Sequence, residues 1–410
     1  MSYRELATRP VLAWCAVTAA SRLPVAMAPL AVVFLVREQP GGYTLGAVLA
    51  AVYVVGEIVA APVLGVRLNA ERARPQLAAG LAVGAAGFAG LAAAGGTASP
   101  VVLGALAFLA GAGPAAVPGA QRALLTSVVP ERAVTQAMSM ESVLTFVIWA
   151  AAPALTTGLA LGVDPAGPPL LQGVLMALAL AGLWLLPRGW QAGKKDDEGS
   201  IGGVLARAWP VYVTGAAGLT LLALAELLLP ALLEQRAIPI GWAGPLLAGF
   251  SVGSAVGAFV YGLRGTWPGR LPVQSAVLIT AVSAGIALAA VLPWTAAIAV
   301  ALAAAGLLQA PASLTRNLAL RQILPPGALA AGYSVMYAAV GAGYAASGTL
   351  AGALLKTVAP STAILCGVVP TLALTALGLW GERRIAPDRT RPAVRRPAAP
   401  DRPRTADSDR

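Results

Sequence analysis

LPVQSAVLITAVSAGIALAAVLPWTAAIAVALAAAGLLQAPASLTRNLAL, residues 271–320, runs for about 50 residues with a single charged side chain, Arg316. A helix rises 1.5 Å per residue and a bilayer's hydrocarbon core is about 30 Å thick, so one crossing takes roughly 20 residues. The stretch is too long for one crossing and reads as a hairpin of two, broken at Pro293. Lipid is therefore the solvent for which this chain is built.

The same reading extends in both directions. Apolar runs predict twelve spans, at 11–36, 44–66, 76–95, 100–126, 135–161, 168–187, 208–233, 242–263, 271–292, 294–320, 328–355 and 360–381. The 410 residues are 58% hydrophobic and only 11% charged, against about 25% charged in soluble domains. The first run, about 26 residues, exceeds the 7–15 of a secretory signal and is expected to remain as a span. The predicted fold is an all-α integral membrane protein, twelve transmembrane helices in two six-helix bundles. Residues 1–187 form the first bundle, 188–207 a polar cytoplasmic linker, 208–381 the second bundle, and 382–410 a disordered, Arg- and Pro-rich tail.

A net charge of +11 invites a nucleic-acid reading, but the basic residues lie between spans and in the tail, where they report topology. Arg4, Arg9, Arg67, Arg72, Arg74, Arg132, Arg188, Lys194, Lys195, Arg207, Arg264, Arg270 and Arg321 fall on one side with both termini. Only Arg37, Arg236 and Lys356 fall on the other, which predicts cytoplasmic termini. With no histidine and two cysteines, Cys15 and Cys366, both inside spans, no metal site, cofactor or enzymatic centre is expected. Trp14, Trp209, Trp242, Trp294 and Trp380 lie near span ends, as interfacial anchors do.

Weak similarity relates the halves. Gly56 and Gly65 are spaced like Gly253 and Gly262, and Pro118, Arg122 and Pro130 recur approximately as Pro311, Arg316 and Pro325. Such parallel repeats are what a two-bundle transporter leaves in its sequence. Small residues four apart, Gly80 and Gly84, Gly249, Gly253 and Gly257, and Gly348 and Gly352, suit close helix approach in lipid.

Charges inside the membrane cost roughly 2.5–3.5 kcal/mol each on insertion scales, so each asks for a partner, a cavity or a function. Arg22 and Glu57 lie at similar depths, roughly 16 and 14 Å from the cytoplasmic ends of the first two spans, and are expected to pair. Glu57, held or released by Arg22, is the candidate proton-coupling residue; a permanent structural pair is the alternative. Arg122, Glu141 and Arg316, near inner span ends, are gating or structural candidates satisfied by snorkelling or a local pair. Glu226 and Trp149 are candidates for the cavity and the substrate, Glu226 by its charge and Trp149 by its depth in the fifth span.

Several stretches resemble the major facilitator superfamily, in particular bacterial drug and metabolite exporters of high-GC genomes. SRLPVAMAPLAVVFLV, residues 21–36, is similar to an Arg-containing first helix of that group. GVRLNAERAR, residues 65–74, stands where the family has a glycine and an Asp-Arg, Gly-Arg cluster. There Asn69 or Glu71 replaces the aspartate, Arg72 and Arg74 supply the cations, and Ala73 replaces a glycine. QRALLTSVVPERAVTQAMSMES, residues 121–142, resembles the connection between the fourth and fifth spans, with Arg122 at the recurrent arginine. AAPALTTG, residues 151–158, resembles the fifth-span antiporter motif, with threonines for its paired glycines.

The resemblance implies that spans one, four, seven and ten line a central cavity, carrying Arg22, Arg122, Glu226 and Arg316. It implies a monomer in the bacterial plasma membrane that exchanges a small organic molecule for protons. An importer of a small solute is the alternative within transport, and a transport-inactive membrane scaffold or sensor the alternative outside it.

Overall fold

The computed structural model describes residues 6–39, 42–68, 70–95, 98–187, 200–264 and 267–385. The first-half spans are Arg9–Val36, Gly42–Arg67, Ala73–Ala94, Pro100–Ala112 continued by Val117–Val128, Val134–Gly162 and Gly167–Gly182. Spans 7 to 12 are Trp209–Gln235, Ala243–Leu263, Leu271–Val291, Thr295–Ile323, Leu329–Leu354 and Pro360–Ile385. Among the described residues there is no β-strand.

Local chemistry sets the boundaries. Proline opens spans 1, 6, 7 and 9 and the first segment of span 4, where its fixed φ suits a helix start and its missing N–H is not needed. Pro114, in the turn at 113–116, divides span 4, because its ring and lost donor interrupt the helix. Pro293 lies in the break between spans 9 and 10, as the 50-residue run required.

Among the described residues, eleven helices are long and apolar enough to cross a membrane. The exception is span 11, whose 26 residues are rich in glycine, serine and tyrosine, and whose neighbours are spans 2, 4 and 7. Its first half is the buried part, with Leu329, Ala331, Gly332, Tyr333, Ser334 and Met336 packed inside the protein, so that half needs no continuous apolar surface towards lipid. Elsewhere the lipid-facing surface is apolar, with Val101, Val300 and Val369 largely exposed on the outside of the bundle.

The two bundles repeat one packing scheme. Span 2 packs on 4, 3 on 4, 3 on 6, 1 on 5 and 1 on 6; correspondingly 8 packs on 10, 9 on 10, 9 on 12, 7 on 11 and 7 on 12. The closest approaches repeat as well. A side chain at Gly111 would run into the Tyr53 carbonyl, and one at Gly306 into the Phe250 carbonyl, at positions roughly 195 residues apart. Gly249 and Gly352, by contrast, face open space, so those two members of the small-residue series do not mediate packing.

The halves meet along two seams, span 11 against spans 2 and 4, and span 5 against span 8. Span 1 starts and span 12 ends at one face of the bundle, the terminal face. There the buried core runs unbroken from Leu124 and Val129 to Leu320, Leu324 and Tyr333 of the other half. Towards the opposite, distal face the second half has a separate core around Leu228, Phe250 and Ile286. The halves are thus sealed together at the terminal face.

Three expectations change. Trp14 is buried, not interfacial, and donates from Nε1 to the Gln121 carbonyl at 2.7 Å, tying span 1 to span 4. Span 12 continues past residue 381, and Glu382, expected in the tail, is a buried part of the helix. Of the linker, residues 188–199 lie outside the described residues and Ile201–Arg207 is a short helix; of the tail, 386–410 lie outside them.

Candidate functional site

A cavity of about 240 Å³ lies between the halves, walled by spans 4, 5, 7, 8, 9, 10 and 11. Of the four side chains expected to line it, Arg122, Glu226 and Arg316 do so, whereas Arg22 stands behind the wall. Its end nearest the terminal face is polar and its other end aromatic.

The polar end is built around Glu141. One oxygen, Oε1, accepts from Arg22 Nη1 at 2.5 Å and from Arg122 Nη2 at 2.6 Å. Arg22 Nη1 also donates to Thr145 Oγ1 at 2.7 Å, and Arg122 Nη1 reaches Asn317 Oδ1 of the other half at 3.3 Å. The Arg122 guanidinium lies 5.5 Å from the centre of the Tyr333 ring. Glu141 is 1% exposed and Arg22 9%, so this is a buried cluster of two cations and one anion.

The expected Arg22–Glu57 pair does not form. Equal depth sets the height of two side chains but not their direction around the helix. Span 1 turns Arg22 towards span 5, and span 2 turns Glu57 towards span 11, where it accepts from the Tyr337 hydroxyl at 2.6 Å. Glu57 forms no ion pair among the described residues.

Arg316 does not snorkel either. It is 2% exposed, pairs with Glu382, donates to the Leu271 carbonyl at 2.9 Å and approaches Thr214 Oγ1 at 3.3 Å. This joins spans 7, 9, 10 and 12 at the terminal-face end of the second bundle. Arg122 and Arg316, repeats of one position, thus each find a carboxylate within their own bundle.

Glu226 is half-buried on the cavity wall, twelve residues beyond Thr214 along span 7 and roughly 18 Å further from the terminal face. Phe146, Trp149, Phe250 and Tyr344 line the cavity with it, and Trp149 is half exposed. In the loop after span 2, Glu71 and Arg72 are exposed on a short 3-10 turn, while Arg74 donates to the Leu186 carbonyl at the end of span 6.

Sequence reasoning missed Tyr337, Thr145, Asn317 and Glu382. Tyr337 alone carried a signal, as one of three tyrosines in an otherwise small-residue helix. A further cross-half contact was also missed: Arg321, at the end of span 10, forms a two-pronged ion pair with Glu131 of the loop between spans 4 and 5. It closes the terminal face over the cavity.

The family model described as Major Facilitator Superfamily matches residues 14–297. No curated protein matches the sequence. Among solved structures, the fold is similar to the human organic anion transporter MFSD10 (TETRAN), at a TM-score of 0.70 and 15% identity over 91% of this chain and 98% of that one. It is also similar to a bacterial homologue of the iron transporter ferroportin in an outward-facing state, at 0.69 and 16% over 92% and 98%.

Proposed function

The chain belongs to the Major Facilitator Superfamily and is a multi-pass membrane transporter; on that premise we propose that it exports a small organic molecule in exchange for protons by alternating access. The bundles rock about the cavity and expose it to each side in turn. Because one chain supplies both bundles and the whole cavity wall, the monomer is a complete transport unit. The bacterial plasma membrane is its place, and the arginine-rich terminal face lies in the cytoplasm, by the excess of positive charge there. In that orientation the sealed terminal face makes this an outward-facing arrangement.

The observation that carries proton coupling is the Glu57–Tyr337 hydrogen bond. It crosses the seam between spans 2 and 11, and it joins a carboxylate with no ion-pair partner among the described residues to a hydroxyl of the other half. A protonated carboxyl carries a donor of its own and no charge, so proton uptake changes what holds this seam. Glu141, clamped by two arginines, is unsuited to that task and serves instead to fix spans 1, 4 and 5 together.

The structural neighbours, an organic anion transporter and a homologue of an iron transporter, are 15–16% identical to this chain, a likeness that carries the fold and no cargo. The test is flux of anionic, cationic and neutral dyes from proteoliposomes, with and without a pH gradient. Efflux that follows the gradient and is lost in Glu57→Gln is expected; gradient-independent flux untouched by the substitution refutes coupling at Glu57.

A further inference from the structure

Counting the charges that cannot be removed changes how the cavity reads. A carboxylate sheds its charge by binding a proton, but a guanidinium stays protonated at any accessible pH. Around Glu141 two guanidinium groups share one carboxylate, and among the described residues neither arginine forms a second ion pair. Arg316, by contrast, is balanced by Glu382. The polar end of the cavity therefore holds one permanent positive charge that no side chain neutralises, and neither Glu57 nor Glu226 pairs with it.

The donors there are also incompletely used. Arg22 Nε and Nη2, Arg122 Nε and Arg316 Nε are buried without a hydrogen-bond partner. A buried donor left unsatisfied is costly, and more so when it is charged. Arg122, Arg316 and Asn317 reach the cavity wall, and beyond them, away from the terminal face, the lining turns to Met336, Phe146 and Trp149. Arg22 and Arg122 both donate to the same oxygen of Glu141, Oε1, so one carboxylate serves two cations.

We propose that the cargo is an organic monoanion, its carboxylate or sulfonate seated at Arg122 beside Asn317 and its apolar body against the aromatic end of the cavity. This deepens the transporter reading and rests on it. The permanent charge chooses the solute, while the titratable carboxylates, Glu57 and Glu226, are left for protons. Arg22 acts from behind the wall as a positioning residue: it uses half of Glu141 and so leaves Arg122 with charge to offer.

The test compares aromatic and aliphatic monocarboxylates and monosulfonates with size-matched ammonium compounds. Binding is read as thermal stabilisation of the purified full chain in detergent, and transport as counterflow in proteoliposomes. The expected result is stabilisation by the anionic series, weakening as salt rises, with little from the ammonium series. Arg22→Gln leaves Arg122 and Glu141 as a balanced pair and should weaken anion binding about tenfold or more; Arg22→Lys, which keeps the charge, should retain most of it. Glu226→Gln removes a negative charge from the cavity wall and should strengthen anion binding. Stabilisation by the ammonium series that is lost in Glu226→Gln overturns the assignment, as does a wild type that binds no member of the anionic series. Should Arg22→Gln not fold, the wild-type contrast between the two series still decides. Anion binding without counterflow retires the transport reading and keeps the site, whereas counterflow of ammonium compounds alone retires the anion and keeps transport.

Discussion

Replacing Glu141 by glutamine should be among the most damaging single changes in the first bundle. The carboxylate is 1% exposed and accepts from Arg22 at 2.5 Å and from Arg122 at 2.6 Å through the same oxygen. Glutamine keeps the shape and one acceptor, so the loss is electrostatic. The cluster goes from one uncompensated positive charge to two, both buried. Breaking a buried pair by removing one partner costs about 3–5 kcal/mol. Arg22→Met makes the informative contrast, because it removes charge yet leaves Arg122 and Glu141 balanced. It gives up the Arg22 hydrogen bonds to Thr145 and Glu141, about 1.5–3 kcal/mol each for a charged donor, but it also removes the one uncompensated buried cation, which offsets part of that cost. Thermal unfolding in detergent, followed by a thiol-independent probe, should therefore rank Glu141→Gln well below Arg22→Met, with wild type above both. The double variant should fall closer to Arg22→Met than additivity allows, because it holds one uncompensated cation and not two. Equal midpoints for the two single variants, or Glu141→Gln within a degree of wild type, would refute the charge count.

At the terminal face, Glu131 is largely exposed, so its ion pair with Arg321 is worth no more than about 0.2–1 kcal/mol after solvent screening. Glu131→Gln should shift the balance towards opening at that face by no more than about fivefold, read by spin-label distances between the loop after span 4 and the end of span 10; an unchanged distribution removes the pair from the gate. Gly257→Leu drives a side chain into the Leu307 carbonyl and should destabilise by about 1–3 kcal/mol, while Gly352→Ala, facing open space in a helix, should be neutral or stabilise by about 0.5–1 kcal/mol. Thermal midpoints of those two variants should move in different directions. Glu382→Gln should lower the midpoint by more than Glu382→Asp, because only the glutamine leaves Arg316 buried without an anion.

Much of the site's inventory was legible before its geometry. Arg22, Glu57, Arg122, Glu141, Glu226 and Arg316 stand out because a charge in an apolar run is visible one residue at a time. Pairing was legible where the chain itself brings the residues close, as with Arg122 and Glu141, nineteen residues apart on either side of a short loop. It failed for Arg22 and Glu57, because the spans are rich in alanine and glycine and every face of such a helix looks alike. Without a polar stripe, nothing in the residues tells which way a side chain points. Glu382 was missed for a related reason: an acidic residue beside two arginines reads as the start of a solvated tail until its partner in span 10 is known.

By itself the sequence determined the solvent, the class of fold and the twelve spans to within a few residues, because the length of an apolar run is a local property and the bilayer's thickness is constant. Only the tertiary structure decided which charges meet. Glu57 finds Tyr337 across 280 residues and Arg22 finds Glu141 across 119. Those partners depend on rotation about each helix axis and on which non-consecutive spans touch, and packing of whole surfaces settles both.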